Sequence, residues 1–353
     1  MSPASPAAAA PAAADQPLAI GSPAGPLLGL LSQPAADAPA RDIGMLIVPG
    51  GAQYRVGAHR QFRELAHELA AAGYPTLRFD LPGQGDSPGE PLPYTAIGPC
   101  LQAAGNALLQ ASPAACRRIA VFGLCDGASA ALLHAHACMK AQAQSHAQAD
   151  GQAHPQANAT SEPTWAGIAM LNPWLEPDAQ VQQARERHYY RQRLFSRALW
   201  RQLFSGGLGM ASVRAALRSA MGSRASPPGG PANASVKAPM NSPTNGPPVL
   251  QPADVNAALA QAWVAWPGQL LLIVGGADLS GQTFDHQVQH HPAWRSRRPA
   301  ARWQRVLLPG ADHTLSRNQW RIAARDALLA WLACQPALQS DVGFFDKQSS
   351  NRT

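Results

Sequence analysis

The sequence predicts an α/β fold, a mostly parallel central sheet with helices on both faces and a helical cap insertion. Three observations lead there. Apolar runs of strand length alternate with stretches of helical periodicity, the pattern of a parallel sheet with crossover helices. Several of those runs, "DIGMLIVPGG" at 42–51 and "QLLLIVGGAD" at 269–278, are continuous rather than alternating. Strands buried on both faces read that way. The strand signal also lapses from 176 to about 220, between two such runs, where an insertion belongs.

The elements follow in order. "QPLAIGSPAGPLLGLLSQP" reads as two short strands joined by a Gly/Pro turn. After "DIGMLIVPGG", the segment "HRQFRELAHELAAAG" sets Phe62, Leu65, Ala66 and Leu69 at helical spacing, with Gly73 as its stop. "YPTLRFD" is a strand that ends in the Gly-rich loop "LPGQGDSPGE". A helix occupies part of 94–111, "RRIAVFG" is a strand, and "ASAALLHAHACMKA" is a helix. "WAGIAMLNPWL" is the next strand, and "QLLLIVGGAD" and "ARWQRVLLPGADH" are the last two, with a helix between them. "NQWRIAARDALLAWLACQ" closes the domain as an amphipathic helix.

This organisation gives a disordered Ala/Pro-rich extension at 1–16 and a first core part at 17–175. That part holds a Gln/Ala/His low-complexity insert at 141–163, read as a loop because it cannot bury a core. A cap region spans 176–265, with a flexible Pro/Gly/Asn-rich insert at 222–248. The second core part is 266–336, and 337–353 is a flexible tail.

Composition narrows the class. Five scattered cysteines without a C-x-x-C pair argue against a disulfide framework and a zinc site, and fit reduced thiols in the cytoplasm. The first sixteen residues lack a basic n-region and a leucine-rich segment, and no apolar run approaches the ~18 residues of a membrane span. The formal charge of +7 is partly gathered at 185–201, "RERHYYRQRLFSRALWR". That segment is either a solvated helix face or a basic surface for an anionic substrate or carrier. No nucleic-acid module surrounds it. No metal or cofactor motif stands out.

The chemistry concentrates at "VFGLCDGASAALLHA", residues 121–135. Gly123-Leu124-Cys125-Asp126-Gly127 has the Gly-x-Ser-x-Gly layout of a nucleophile elbow, with a cysteine in the serine's place and a strand before and a helix after it. A helix N-terminus also favours a thiolate over a thiol. The structural alternative is a small buried residue between two glycines. Asp278 and His313 each follow a strand, where open α/β sheets place their sites. They complete the order nucleophile, acid, histidine. His313 is then the base for Cys125, and Asp278 its orienter. Asp312, adjacent to the histidine, is the rival carboxylate.

An oxyanion hole needs two N–H groups. By position these are Asp126 and a residue after the third strand, Gly51 or Ala52. The Asp126 side chain is an oddity there, since a carboxylate beside a thiol works against its ionisation. Arg55, with Tyr54 beside it, is a candidate for gripping an anionic group, although pairing of Arg55 with Asp80 or Asp126 is an equal alternative. Arg187 and Arg191 are candidates on the basic segment. His59 and Arg60 start a helix or reach the site mouth. His286, His290 and His291 read as solvated helix residues, and His134 and His136 face different sides of a helix.

The segments "LIVPGGAQYRVGAHRQF", "AAGYPTLRFDLPGQGDSPGE", "FGLCDGASAALL", "LNPW" with "HYYRQRLFSRALWRQL", and "LPGADHTLS" resemble the exosortase A system-associated hydrolase 1 family, a branch of the α/β-hydrolases. The likeness covers roughly 17–335, apart from the two inserts, which are longer than the family pattern. It implies the α/β-hydrolase fold and an association with exopolysaccharide and exosortase systems. An acyl ester or thioester, carried on CoA or acyl carrier protein, is the substrate class it suggests. Three function classes follow: a hydrolase through an acyl-cysteine, an acyltransferase passing the acyl group to an alcohol or amine, and an inactive binding scaffold. Oligomeric state is not legible in the sequence.

Overall fold

The structure is a computed structural model that describes residues 15–51, 53–149, 163–177, 252–295 and 303–335. Eight strands form one sheet: β1 (Asp15–Ser22), β2 (Gly25–Ser32), β3 (Ile43–Val48), β4 (Thr76–Phe79), β5 (Arg118–Leu124), β6 (Thr164–Leu171), β7 (Gln269–Gly275) and β8 (Trp303–Leu308). Their spatial order is β1-β2-β4-β3-β5-β6-β7-β8. The β1–β2 and β2–β4 pairs are antiparallel, and every pair from β4 to β8 is parallel. The carboxyl ends of β3 and β5 to β8 therefore gather at one end of the sheet.

The helices are α1 (Gln61–Ala71), α2 (Gly98–Ala111), α3 (Asp126–Ala149), α4 (Pro252–Ala265), α5 (Leu279–His290), the single turn α6 (Pro292–Arg295) and α7 (Asn318–Ala333). Phe62, Ala66 and Leu69 of α1 bury as their spacing predicts, against Met45, Ile47 and Phe122 of the sheet, in a cluster that Leu328 and Trp331 of α7 join. Burying side chains of this size contributes about 1.5–3 kcal/mol each. His59 and Arg60 both have left-handed backbone, with φ of 55° and 61°, and lead into α1 through a one-turn 3₁₀ helix at Ala58–Arg60.

Two boundaries differ from the sequence reading. The stretch read as a loop from 141 continues α3 as far as Ala149. Its alanines and glutamines are good helix formers, and an exposed helical extension requires no core. The region assigned to the cap up to 265 gives α4 from Asn256 onward to the main unit, which consists of the chain up to Leu175 and from Asn256. Trp263 of α4 is buried edge-on to Phe284 and Trp303, with ring centroids 5.8 and 5.6 Å away. The second unit, Glu176–Val255, lies almost wholly outside the described residues, as do the insert at 222–248 and the terminal extensions.

Charged clips tie distant segments together. Arg78 of β4, 1% exposed, pairs with Asp15 at the start of β1. Arg118 pairs with Asp42 at 2.6 Å, and Arg305 of β8 with Asp285 of α5 at 2.7 Å. No helix among the described residues is long and apolar enough to cross a membrane.

Candidate active site

Four strand ends build the site. β5 ends in Cys125, β6 in Asn172, β7 in the turn to Asp278, and β8 in the loop that carries His313. Cys125 has φ +57°, a left-handed conformation that costs a non-glycine residue about 1–3 kcal/mol. Its neighbours hold it there. Its N–H donates to the Leu171 carbonyl at 3.0 Å, and its own carbonyl accepts from Ala128 at 3.1 Å and Trp174 at 3.2 Å. The flanking glycines are required for contact. A Cβ on Gly123 would stand 2.7 Å from the Ala128 nitrogen, and one on Gly127 2.9 Å from the Pro49 carbonyl carbon. The spacing read in the sequence is thus a turn that only these residue types can close.

His313 Nδ1 lies 2.8 Å from Asp278 Oδ1. The other carboxylate oxygen accepts the Gly281 N–H at 2.6 Å and so caps α5. The hydrogen bond from Asp278 is the largest influence on the imidazole and that from Cys125 the next; against burial they push its pKa up to about 10. Both partners thus favour the protonated ring. The sequence order nucleophile, acid, histidine is here a spatial chain with Asp278 at one end and Cys125 at the other. Asp312, the rival carboxylate, turns away. It accepts from Ser316 N at 2.9 Å and from the Ser316 hydroxyl.

Asn172 escaped the sequence reading. It is fully buried, with φ +46°. Its Nδ2 donates to the His313 carbonyl at 3.1 Å, and its Oδ1 accepts the Gly275 N–H at 2.7 Å. One side chain thus ties the ends of β6 and β7 to the histidine loop. The signal was present: a polar residue at the end of an apolar strand, the position that picked out Asp278 and His313.

Of the two readings of Arg55, the structure shows the pairing with Asp80 and no free anion grip. Its guanidinium pairs with both Asp80 and Asp86, and its N–H donates to Asp80 Oδ1 at 2.7 Å, which makes it a strut between two loops. Tyr54 is 47% exposed on the loop after β3. The Gly51 N–H, a candidate oxyanion donor, is donated to Asp126 Oδ1 at 2.5 Å. Burial pushes the Asp126 carboxyl up, opposed by main-chain N–H groups of Gly51, Gly127 and Asp126 itself. Ala52, Arg187 and Arg191 lie outside the described residues. His286 and His290 are exposed and stacked one helical turn apart, with ring centroids at 4.5 Å.

Residues 45–325 match the family model described as Alpha/beta hydrolase family. No curated protein matches the sequence significantly. Among solved structures, an esterase of Pyrococcus furiosus superposes with a TM-score of 0.53 at 14% identity, covering 92% of each chain. A serine hydrolase of Xanthomonas campestris described as lacking a lid gives 0.48 at 14% identity, covering 91% of this chain and 97% of its own. At these identities the likeness concerns the fold.

Proposed function

This chain belongs to the alpha/beta hydrolase family, and we propose that within it the protein cleaves an ester or thioester through an acyl-Cys125 intermediate. The observation that carries this reading is the pairing of His313 with Asp278 at 2.8 Å, with Cys125 as the ring's other partner on a strained elbow. In the first half-reaction the Cys125 sulfur attacks the carbonyl carbon. A tetrahedral oxyanion forms, held by main-chain N–H groups, and collapses as the imidazolium of His313 protonates the leaving group. In the second, neutral His313 takes a proton from water, which attacks the thioester and releases the acid. Asp278 fixes the tautomer and stabilises the cation throughout.

The resemblance to the exosortase A system-associated hydrolase 1 family supports an association with exopolysaccharide production. The five cysteines are thiols, in keeping with a cytoplasmic setting. CoA or acyl carrier protein as the acyl carrier rests on the basic segment. Replacing Arg187, Arg191 and Arg193 together raises KM for a CoA thioester if that segment receives it, and an unchanged KM removes the carrier from the reading.

The direct test is intact-protein mass spectrometry after mixing with acyl-CoAs and activated esters. A mass gain on Cys125, absent from Cys125→Ala and persistent in His313→Ala only with activated esters, is the expected result. Decay of the adduct in water, against decay with added alcohols or amines, separates hydrolysis from acyl transfer. Turnover without any adduct on Cys125, undiminished in Cys125→Ala, overturns the reading.

A further inference from the structure

The acyl-cysteine mechanism uses the main-chain N–H of Asp126 and leaves its side chain without a task. That side chain is not idle in the fold. Oδ1 accepts the Gly51 N–H at 2.5 Å, and the N–H groups of Gly127 and of Asp126 itself also act on the carboxylate. Gly50 packs so tightly on the elbow that an added Cβ would stand 2.9 Å from both Asp126 Oδ1 and Cys125 Cβ. The carboxylate therefore lies in the immediate surroundings of the nucleophile. Two of the three N–H groups around it, those of Gly51 and Asp126, are the pair that the position after β3 and the position after the nucleophile offer to an oxyanion. A carboxyl oxygen thus already holds a donor that a tetrahedral oxyanion would need.

We propose that Asp126 is a specificity determinant, an internal occupant of the oxyanion seat that gives way to acyl groups bearing an ammonium or a hydroxyl beside the carbonyl. This deepens the acyl-Cys125 reading and rests on it. The physical reason is the fate of the displaced carboxylate. Lifted off its N–H groups, it is a part-buried charge without a partner, which is costly. His313 is the cation that acts on it, and that ring is committed to Asp278 and Cys125. A plain acyl group brings nothing to replace the lost N–H bonds. An acyl group with a donor on the adjacent carbon delivers that donor to the carboxylate as its carbonyl oxygen takes the vacated N–H groups.

Three p-nitrophenyl esters that differ only in the substituent beside the carbonyl make the test: propionate, lactate and alaninate. kcat/KM is measured for wild type, Asp126→Ala and Asp126→Asn. Wild type is expected to prefer lactate or alaninate over propionate by roughly ten- to hundredfold, the range of a hydrogen bond to a charged group. A larger preference for alaninate identifies the ammonium as the favoured donor, and equal preferences assign the hydroxyl the same role. Asp126→Ala loses the preference by turning over propionate faster. Asp126→Asn keeps an acceptor for Gly51 and the side-chain volume, so it reduces the preference with Tm unchanged. No preference in wild type, or an equal fall for all three esters in both variants, overturns the role of Asp126 while the Cys125 adduct still forms. Turnover that survives Cys125→Ala overturns the acyl-cysteine reading instead, and absence of both adduct and turnover overturns both.

Discussion

Asp80 and Asp278 are the same residue in the same kind of place. Each follows a strand of the sheet, each is buried, and each pairs with a cation from another loop. Their surroundings differ in one respect. Asp80 meets an arginine, and its oxygens are filled by the Arg55 guanidinium, the Arg55 N–H and the Asp86 N–H at 2.9 Å. The remaining arm of Arg55 reaches Asp86, so the cluster closes on itself. Asp278 meets an imidazole, whose far side is turned to Cys125. A guanidinium does not release its proton in proteins, whereas an imidazole exchanges one readily. Buried charge is therefore not by itself a mark of function in this fold. What distinguishes Asp278 is a partner of a type that can exchange a proton, which also interacts with a thiol.

On the proposed mechanism the largest effect belongs to Cys125. Cys125→Ala should lower kcat/KM toward activated esters by roughly 10⁵- to 10⁶-fold, as loss of a triad nucleophile does elsewhere. Asp278→Asn comes next, at roughly 10⁴-fold, because an amide no longer enforces the productive tautomer. Circular dichroism melting should also show a lower Tm, because the asparagine still accepts from Gly281 N–H but no longer holds the His313 imidazolium. Asp80→Asn is expected to cost stability without the catalytic loss. It leaves Arg55 with half its countercharge and should cost about 3–5 kcal/mol of stability in urea unfolding, with kcat/KM of the folded protein within a few-fold of wild type. A catalytic collapse in Asp80→Asn, or a normal kcat/KM in Asp278→Asn, would break the distinction between the two carboxylates.

Most of the sheet was legible because its strands announce themselves locally. The continuous apolar runs of β3, β5 and β7, the hairpin of β1 and β2, and the glycines around Cys125 each carry their meaning within a few residues. The proximity of Asp278 to His313 was legible because both follow neighbouring strands of the sheet. What escaped depends on contacts between residues far apart. Asn172 reaches across 141 positions to His313 and 103 to Gly275. Gly51 was assigned a donor's role from its place after β3, but Asp126, 75 positions away, accepts that N–H. For Arg55 the sequence left substrate and Asp80 as equal alternatives, and it did not offer Asp86, 31 positions away, which the guanidinium also reaches. Helix α3 overran its expected end for another reason, because low complexity was read as loop where alanine and glutamine simply lacked a core to face.

Asn172 sharpens the comparison at a smaller scale, since it supports the proton-moving pair without touching the ring. Asn172→Ala removes the tie to the His313 carbonyl and leaves a buried carbonyl and the Gly275 N–H unpaired, at about 1–3 kcal/mol each. Both stability and kcat should fall, kcat by roughly tenfold with KM nearly constant, as the histidine loop loses its register. Asn172→Asp separates the two ties. It keeps an acceptor for Gly275 but offers the His313 carbonyl a carboxylate, so Tm and kcat should fall together below the alanine variant. A normal kcat in both would reduce Asn172 to packing.

The smallest effect is a difference in pH dependence between the two clusters. His313 has its pKa raised from 6.5 to about 10 in the folded protein, chiefly by the Asp278 hydrogen bond. A group whose folded pKa lies above its unfolded value contributes stability that is fully present below the unfolded pKa. That contribution fades as pH rises through the folded pKa. The Tm difference between wild type and His313→Gln should therefore be constant below about pH 6.5 and shrink steadily toward pH 10. The difference between wild type and Asp80→Asn should stay level over the same window, because the guanidinium that Asp80 pairs with does not release its proton. The slope belongs to the pair that exchanges a proton. A flat His313→Gln difference would mean that the imidazolium is no better held in the folded protein than in the unfolded chain, and the contrast between Asp278 and Asp80 would lose its physical basis.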